Sequence, residues 1–256
     1  MRVLIVTGTG TEIGKTVVTA AVAALAVASG RRVAVLKPAQ TGLAPGEPCD
    51  VDEVARLAGP VTRSELARYP EPLAPATAAR RSGLAPVRPR RAAEEAARLA
   101  DGHDLVLVEG AGGLLVRYDP DGGTIADVPA ALRGLGVDVS VLLVTTAGLG
   151  TLNTTALTAE ALRTRGLPLD GLVIGSWPTA PDLATRCNLT DLPAVANAPL
   201  LGALPERSAK HDREAFLSTA RACLAPELGG TWSHPEFLAR HLLVRRESCG
   251  QAATGR

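Results

Sequence analysis

Gly8-Thr9-Gly10-Thr11-Glu12-Ile13-Gly14-Lys15-Thr16 follows directly on the apolar run Val3-Leu4-Ile5-Val6 and leads into a stretch rich in Ala and Val. A short apolar run, a glycine-rich turn and a longer apolar stretch read as strand, loop and helix. Each part suits a phosphate. Glycines let the backbone wrap an anion and turn several N–H groups inward, and the helix N-terminus adds partial positive charge. In such a loop Lys15 reaches the β- and γ-phosphates and the Thr16 hydroxyl ligates Mg²⁺. The usual leading glycine position holds Thr9, with Gly8 and Gly10 on either side. The bland alternative is a glycine turn that merely closes a strand–helix unit. Strand, turn, Gly-Lys-Thr and helix in that order make it the weaker one.

Outward from this loop, apolar runs of strand length alternate with helical patterns. Strands are expected at Arg2–Thr7, Arg32–Lys37, Asp104–Glu109, Asp138–Thr145 and Gly171–Gly175, with a short sixth at Leu200–Leu204. Helices are expected at Lys15–Ser29, Val51–Ala58, Arg91–Asp101, Thr151–Arg165 and His211–Leu224. Runs that are apolar on both faces and separated by helices indicate a parallel sheet covered on both sides, an α/β fold of the P-loop NTPase type in one domain. The segment Ala44–Pro89, rich in Pro and Arg, reads as an insertion near the site. The domain is expected over 1–225, followed by a C-terminal extension over 226–256. There Gly229-Gly230 breaks the helical pattern and Trp232-Ser233-His234-Pro235-Glu236-Phe237 resembles a streptavidin-binding affinity tag.

Composition narrows the function. The 256 residues are 46% hydrophobic but only 2% aromatic, so the core is built from Ala, Val and Leu. A net charge of +1 carries no electrostatic footprint for nucleic acid. Cys49, Cys187, Cys223 and Cys249 form no CxxC pair, which argues against a zinc site or a disulfide framework. No signal segment precedes Val3, and Val17–Ala28 is too short to span a bilayer, so a cytoplasmic protein is expected, with no membrane partner. His103, His211, His234 and His241 stand apart from one another in sequence and read as non-catalytic.

A second acid should stand beside the metal at the end of a neighbouring strand. Leu105-Val106-Leu107-Val108-Glu109 supplies Glu109, and Gly110-Ala111-Gly112-Gly113 after it is a loop whose amides can hold a further anion.

Five ordered stretches then resemble the dethiobiotin synthetase family: Gly8–Val17, Lys37-Pro38-Ala39-Gln40-Thr41-Gly42, Val108–Gly113, Leu149-Gly150-Thr151-Leu152-Asn153 and Ala198–Pro205. Together they cover residues 1 to about 224. The resemblance implies an ATP-dependent cyclo-ligase that closes a ureido ring on 7,8-diaminopelargonic acid with CO₂, through a carbamate and a carbamic–phosphoric anhydride. It implies that Thr16, Asp50 and Glu109 hold Mg²⁺, with Asp52 the alternative to Asp50. Lys15, Lys37 and Thr11 would act on the reacting groups. Thr11, Glu12, Ile13, Gly14, Lys15, Thr16, Val17 and Glu109 would hold ATP, with Ser176, Trp177, Pro205 and Glu206 near its base. Thr41 and Gly112 would meet the substrate. Gly150, Thr151, Leu152 and Asn153 would grip its distal carboxylate from a second subunit, which implies a homodimer with shared sites. Ser176-Trp177-Pro178 departs from the family, where many members carry Asn, so the base preference stays open; Trp177 either walls the base pocket or packs at the sheet edge.

Two other readings compete. A cobyrinic-acid-type amide synthetase would need a glutaminase domain for which this chain is too short. A regulatory ATPase of the cell-division type would carry Lys at the position of Gly10, although the basic stretch Glu236–Arg246 would suit a membrane-surface helix.

Overall fold

A computed structural model describes residues 2–242. Its strands are β1 (Arg2–Gly8), β2 (Val33–Lys37), β3 (Gln40–Thr41), β4 (Thr62–Glu65), β5 (Arg68–Tyr69), β6 (Leu105–Glu109), β7 (Val139–Thr145), β8 (Leu169–Trp177) and β9 (Leu200–Pro205). Its α-helices are α1 (Lys15–Ala28), α2 (Asp50–Ala58), α3 (Pro75–Ser82), α4 (Pro89–Ala100), α5 (Val128–Gly134), α6 (Thr151–Thr164), α7 (Leu183–Ala196), α8 (Arg213–Cys223) and α9 (His234–Leu242).

Alternation along β1 sets the layers. Leu4 and Val6 join a core shared with α1, α2 and α8. Val3 and Ile5 face the other way, into a core with α4 and Leu132 of α5. Burial on both faces is what a parallel sheet between helices requires. The seven main strands run in the order β4-β2-β6-β1-β7-β8-β9, and every neighbouring pair is parallel. β3 and β5 form a separate two-stranded ribbon. Register then gathers the chemistry at one edge. Val6 pairs with Glu109, and Leu36 pairs with Val108, so Lys37, Glu109 and the end of β1 emerge side by side.

The expected strands and helices are present, with ends displaced by at most a few residues. The sheet has a seventh strand, β4, whose polar sequence Thr62–Glu65 gave no apolar run because it lies at the sheet edge. The insertion at 44–89 supplies β4, β5 and α3. Helix α7 was also unforeseen; Pro193 inside it interrupts the helical pattern.

The described residues after Ala225 pack onto the fold. Leu228 and Trp232 are buried in the same core as α1 and α8. Phe237 and His241 of α9 lie on the ring of Trp177, with centroids 5.1 and 4.9 Å away. Phe237, Leu238 and His241 of α9 are thus packed against the fold. Arg245, Arg246 and Cys249 lie outside the described residues. Among the described residues no helix is long and apolar enough to cross a membrane.

Candidate active site

The phosphate loop is held open by its backbone. Gly14 sits at φ +92°, and a Cβ there would come within 2.5 Å of the Gly175 carbonyl oxygen. Glycine is therefore demanded twice, by conformation and by close approach. Glu12 also takes a left-handed conformation, at φ +58°. The loop is tied to the sheet where the Thr9 N–H donates to the Val144 carbonyl at 3.1 Å. No side chain caps α1, so the first N–H groups of that helix have no partner within it. Lys15, Thr16 and Val17 line a cleft of about 410 Å³ at that end.

Lys37 is buried at the end of β2 and makes three contacts. Its Nζ donates to Asp50 Oδ2 at 2.6 Å, to Glu109 Oε1 at 2.8 Å and to the Gly110 carbonyl at 3.2 Å. Burial opposes its charge, but Glu109 and Asp50 outweigh burial and hold its pKa above the ordinary lysine value. Thr16 Oγ1 donates to the same Glu109 oxygen at 2.8 Å. Lys15 differs. Its Nζ donates to the Gly10 carbonyl at 2.7 Å and meets no carboxylate within ion-pairing distance among the described residues. Burial, reinforced by the Lys37 charge and only partly offset by Glu109 and Asp50, brings its pKa down to about 8.

These contacts separate Asp50 from Asp52. Asp52 accepts the Cys49 N–H at 3.0 Å, closing the turn at the start of α2, and pairs with Arg63 at 2.5 Å. Asp50 is left for Lys37. Its own N–H donates to Gln40 Oε1 at 3.2 Å, so Gln40, which the sequence reading gave no role of its own, braces it. The Lys37 ammonium in contact with both Asp50 and Glu109, and the Thr16 hydroxyl on Glu109, gather three hard oxygen donors around Glu109 in one cleft. That donor set fits Mg²⁺.

The glycine loop after β6 is partly spent on structure. The Gly110 N–H donates to Val6 O at 2.9 Å, and the Ala111 N–H donates to the Tyr118 hydroxyl at 2.6 Å. Of the four amides expected to meet an anion, Gly112 and Gly113 remain. Gly112, at φ +73°, lies beside Thr11. A second cleft of about 500 Å³ adjoins the first and shares Thr11, Glu12, Thr41 and Gly112 with it. Its far wall is Val116 together with Pro72, Leu73, Ala74 and Pro75, apolar residues from the segment 44–89 that the sequence places near the site.

Thr11, Glu12, Gly14, Lys15, Thr16, Val17, Lys37, Thr41, Asp50, Glu109 and Gly112 thus border one cleft. Ile13 does not: its side chain is buried in the core. Ser176, Trp177, Pro205 and Glu206 stand at the ends of β8 and β9, joined by a 2.8 Å bond from the Glu206 N–H to the Trp177 carbonyl. The Glu206 carboxylate accepts the Thr179 hydroxyl. The Trp177 ring is buried under Phe237 and His241, so it packs at the sheet edge rather than standing as an open stacking surface. Gly150, Thr151, Leu152 and Asn153 border neither cleft. Thr151 turns inward, with Oγ1 2.8 Å from both Thr145 Oγ1 and the Thr146 carbonyl, so its side chain is not free for a ligand. Leu149, beside this segment, is almost fully exposed.

Comparison with known proteins adds to this geometry. A family model described as an AAA domain matches residues 2–212. An ATP-dependent dethiobiotin synthetase BioD of Streptomyces coelicolor is 65% identical over 241 residues, covering 94% of this chain and 99% of the relative. One from Saccharopolyspora erythraea is 68% identical over 233 residues, 91% of this chain and all of the relative. The first alignment leaves 15 of the 256 residues outside (256 less 241), so Trp232–Phe237 falls within the shared sequence. Among solved structures, the cell division ATPase MinD of Pyrococcus furiosus superposes with a TM-score of 0.53 at 22% identity, covering 94% of this chain and 98% of that one. That likeness is one of fold.

Proposed function

The chain belongs to the ATP-dependent dethiobiotin synthetase family, and we propose that the two joined clefts are where it carries out that family's reaction. The enzyme closes the ureido ring of dethiobiotin from 7,8-diaminopelargonic acid, CO₂ and ATP, releasing ADP and phosphate. One amine of the substrate captures CO₂ as a carbamate. A carbamate oxygen attacks the γ-phosphorus and ADP leaves. The second amine attacks the carbonyl carbon of the resulting anhydride, and phosphate leaves as the ring closes.

The observation that carries this reading is the group Lys37, Asp50, Glu109 and Thr16 at the mouth of the phosphate loop, in a cleft adjoined by a second one with an apolar far wall. A carbamate beside a triphosphate concentrates negative charge, and the barrier falls when fixed cations and N–H groups meet that charge as it moves. In this reading Lys15 and the first amides of α1 take the phosphates. Lys37 and the Gly112 and Gly113 amides take the carbamate, with Thr11 and Thr41 donating beside it. Thr16, Asp50 and Glu109 would hold Mg²⁺, which would supply positive charge against the triphosphate. Pro72, Leu73 and Val116 would line the aliphatic chain. The ends of β8 and β9, from Ser176 to Glu206, lie toward the base.

Gly150–Asn153 belong to this reading only through a second copy of the chain. The exposed Leu149 and Leu157 of that region support a homodimer in which this segment meets the substrate carboxylate of the neighbouring site. The test is phosphate release with MgATP and bicarbonate, with and without the diamine, followed by mass detection of the product. Release and a ring-closed product should both depend on the diamine, and Lys37→Ala should lose both. Release that ignores the diamine would overturn the assignment.

A further inference from the structure

Tyr118 is one of two tyrosines in the chain and one of its largest fully buried side chains. It belongs to a tight hairpin. Arg117 and Thr124 form an isolated antiparallel bridge, the Tyr118 N–H donates to the Gly123 carbonyl at 2.7 Å, and the Gly123 N–H donates to Asp119 Oδ1 at 2.8 Å. The hairpin is also tied to the cleft wall, because the Ala76 N–H at the start of α3 donates to the Arg117 carbonyl at 3.0 Å. From this braced position the phenol reaches back to the glycine loop and accepts the Ala111 N–H at 2.6 Å. Burial pushes the phenol pKa up to about 12, so it remains a neutral hydrogen-bonding group across the working range.

The consequence falls on the peptides that follow. The Gly110 N–H is anchored to β1 and its carbonyl accepts from Lys37. Tyr118 holds the N–H side of that same Gly110–Ala111 peptide, and Gly112 then turns through a left-handed conformation beside Thr11. With Gly110 and Ala111 both pinned, the direction of the Gly112 and Gly113 amides is set by three bonds, two of them to the side chains of Lys37 and Tyr118. Glycine-rich backbone has wide freedom, and donors that must meet developing charge lose effect when they wander.

We propose that Tyr118 is a positioning residue for ring closure, its hydroxyl orienting the Gly112 and Gly113 amides that receive the carbamate. This rests on the reading of the site given above, and it applies once the unaltered enzyme has shown diamine-dependent product. Absence of product there would remove that reading and leave Tyr118 aside.

The test is Tyr118→Phe, which keeps the ring and its packing and removes the acceptor. Its control is Asp119→Ala, which loosens the same hairpin at Gly123 while the phenol stays. Tyr118→Phe should lower kcat by about tenfold or more, with KM for MgATP within about twofold because the phosphate loop itself is untouched. The shape of the pH profile should be unchanged. Asp119→Ala should keep kcat within about twofold even where its melting temperature falls as far. Hydrogen exchange measured on peptides spanning residues 110–113 should speed up in Tyr118→Phe and remain slow in the control. Should Tyr118→Phe fold poorly, fluorotyrosine at position 118 in a Tyr69→Phe background weakens the acceptor without removing it, and kcat should then drop part-way. An unchanged kcat in Tyr118→Phe, or equal losses of kcat in both variants, would overturn the proposal and leave Tyr118 as core packing.

Discussion

Nucleotide binding at pH 8 should draw a proton into the protein. In the nucleotide-free protein Lys15 has a pKa of about 8, because burial and the nearby Lys37 charge disfavour its ammonium and only a carbonyl oxygen receives it. A triphosphate placed against it reverses that balance and restores the charge. At pH 8 roughly half the lysines are neutral beforehand, so uptake on binding should approach about half a proton. It should fall to roughly a tenth at pH 7 and rise to about nine-tenths at pH 9. Affinity should weaken about tenfold across those two pH units, or about 1.4 kcal/mol. Stability without nucleotide should move oppositely. A lysine pKa lowered by folding means that the unfolded chain binds more protons between about 8 and 10.5, so the free fold gains stability as pH rises through that window. Titration calorimetry at pH 8 in buffers of differing ionisation enthalpy reads the uptake directly, with a non-hydrolysable triphosphate and Mg²⁺. Lys15→Arg, which cannot lose its proton, should abolish the buffer dependence. Heats that do not vary with buffer in the unaltered protein, or an affinity flat from pH 7 to 9, would refute the reasoning.

Two further outcomes follow from the packing. Gly14→Ala forces a Cβ onto the Gly175 carbonyl at a left-handed position; it should cost about 2 kcal/mol or more in a denaturant titration and largely remove nucleotide binding. Trp232→Ala empties a buried indole site shared with α1 and α8; a loss of roughly 3–5 kcal/mol is expected, whereas an unchanged unfolding midpoint would show that the C-terminal segment contributes little.

How far the sequence could be read depended on what each position interacts with. The parallel core was legible because strands such as Val3–Val6 and Leu105–Val108 are apolar on both faces, a pattern imposed by burial itself. The phosphate loop was legible because wrapping an anion demands glycine, lysine and threonine in a set order. Where a residue answers to its neighbours in space alone, the signal disappears. β4 at the sheet edge shows Thr62–Glu65 and no periodicity. Asp50 and Asp52 are equivalent by spacing, and only the Cys49 N–H and Arg63 divide them. Tyr118 serves a backbone N–H, which every residue but proline has, so nothing at Ala111 announces the pairing. The likeness of Trp232–Phe237 to a tag hid two aromatic contacts, Phe237 and His241 on Trp177, that hold the C-terminal segment on the sheet.

The ammonium of Lys37 has one more consequence. Asp50 and Glu109 already share it, so a bare divalent ion arriving alone must compete with two short ion pairs of a buried lysine, a costly exchange. A divalent ion arriving on a triphosphate brings the anion that Lys37 can turn to. On the proposed assignment of the site, the pocket favours cargo over solute: it should take the metal–nucleotide complex as a unit in preference to free metal.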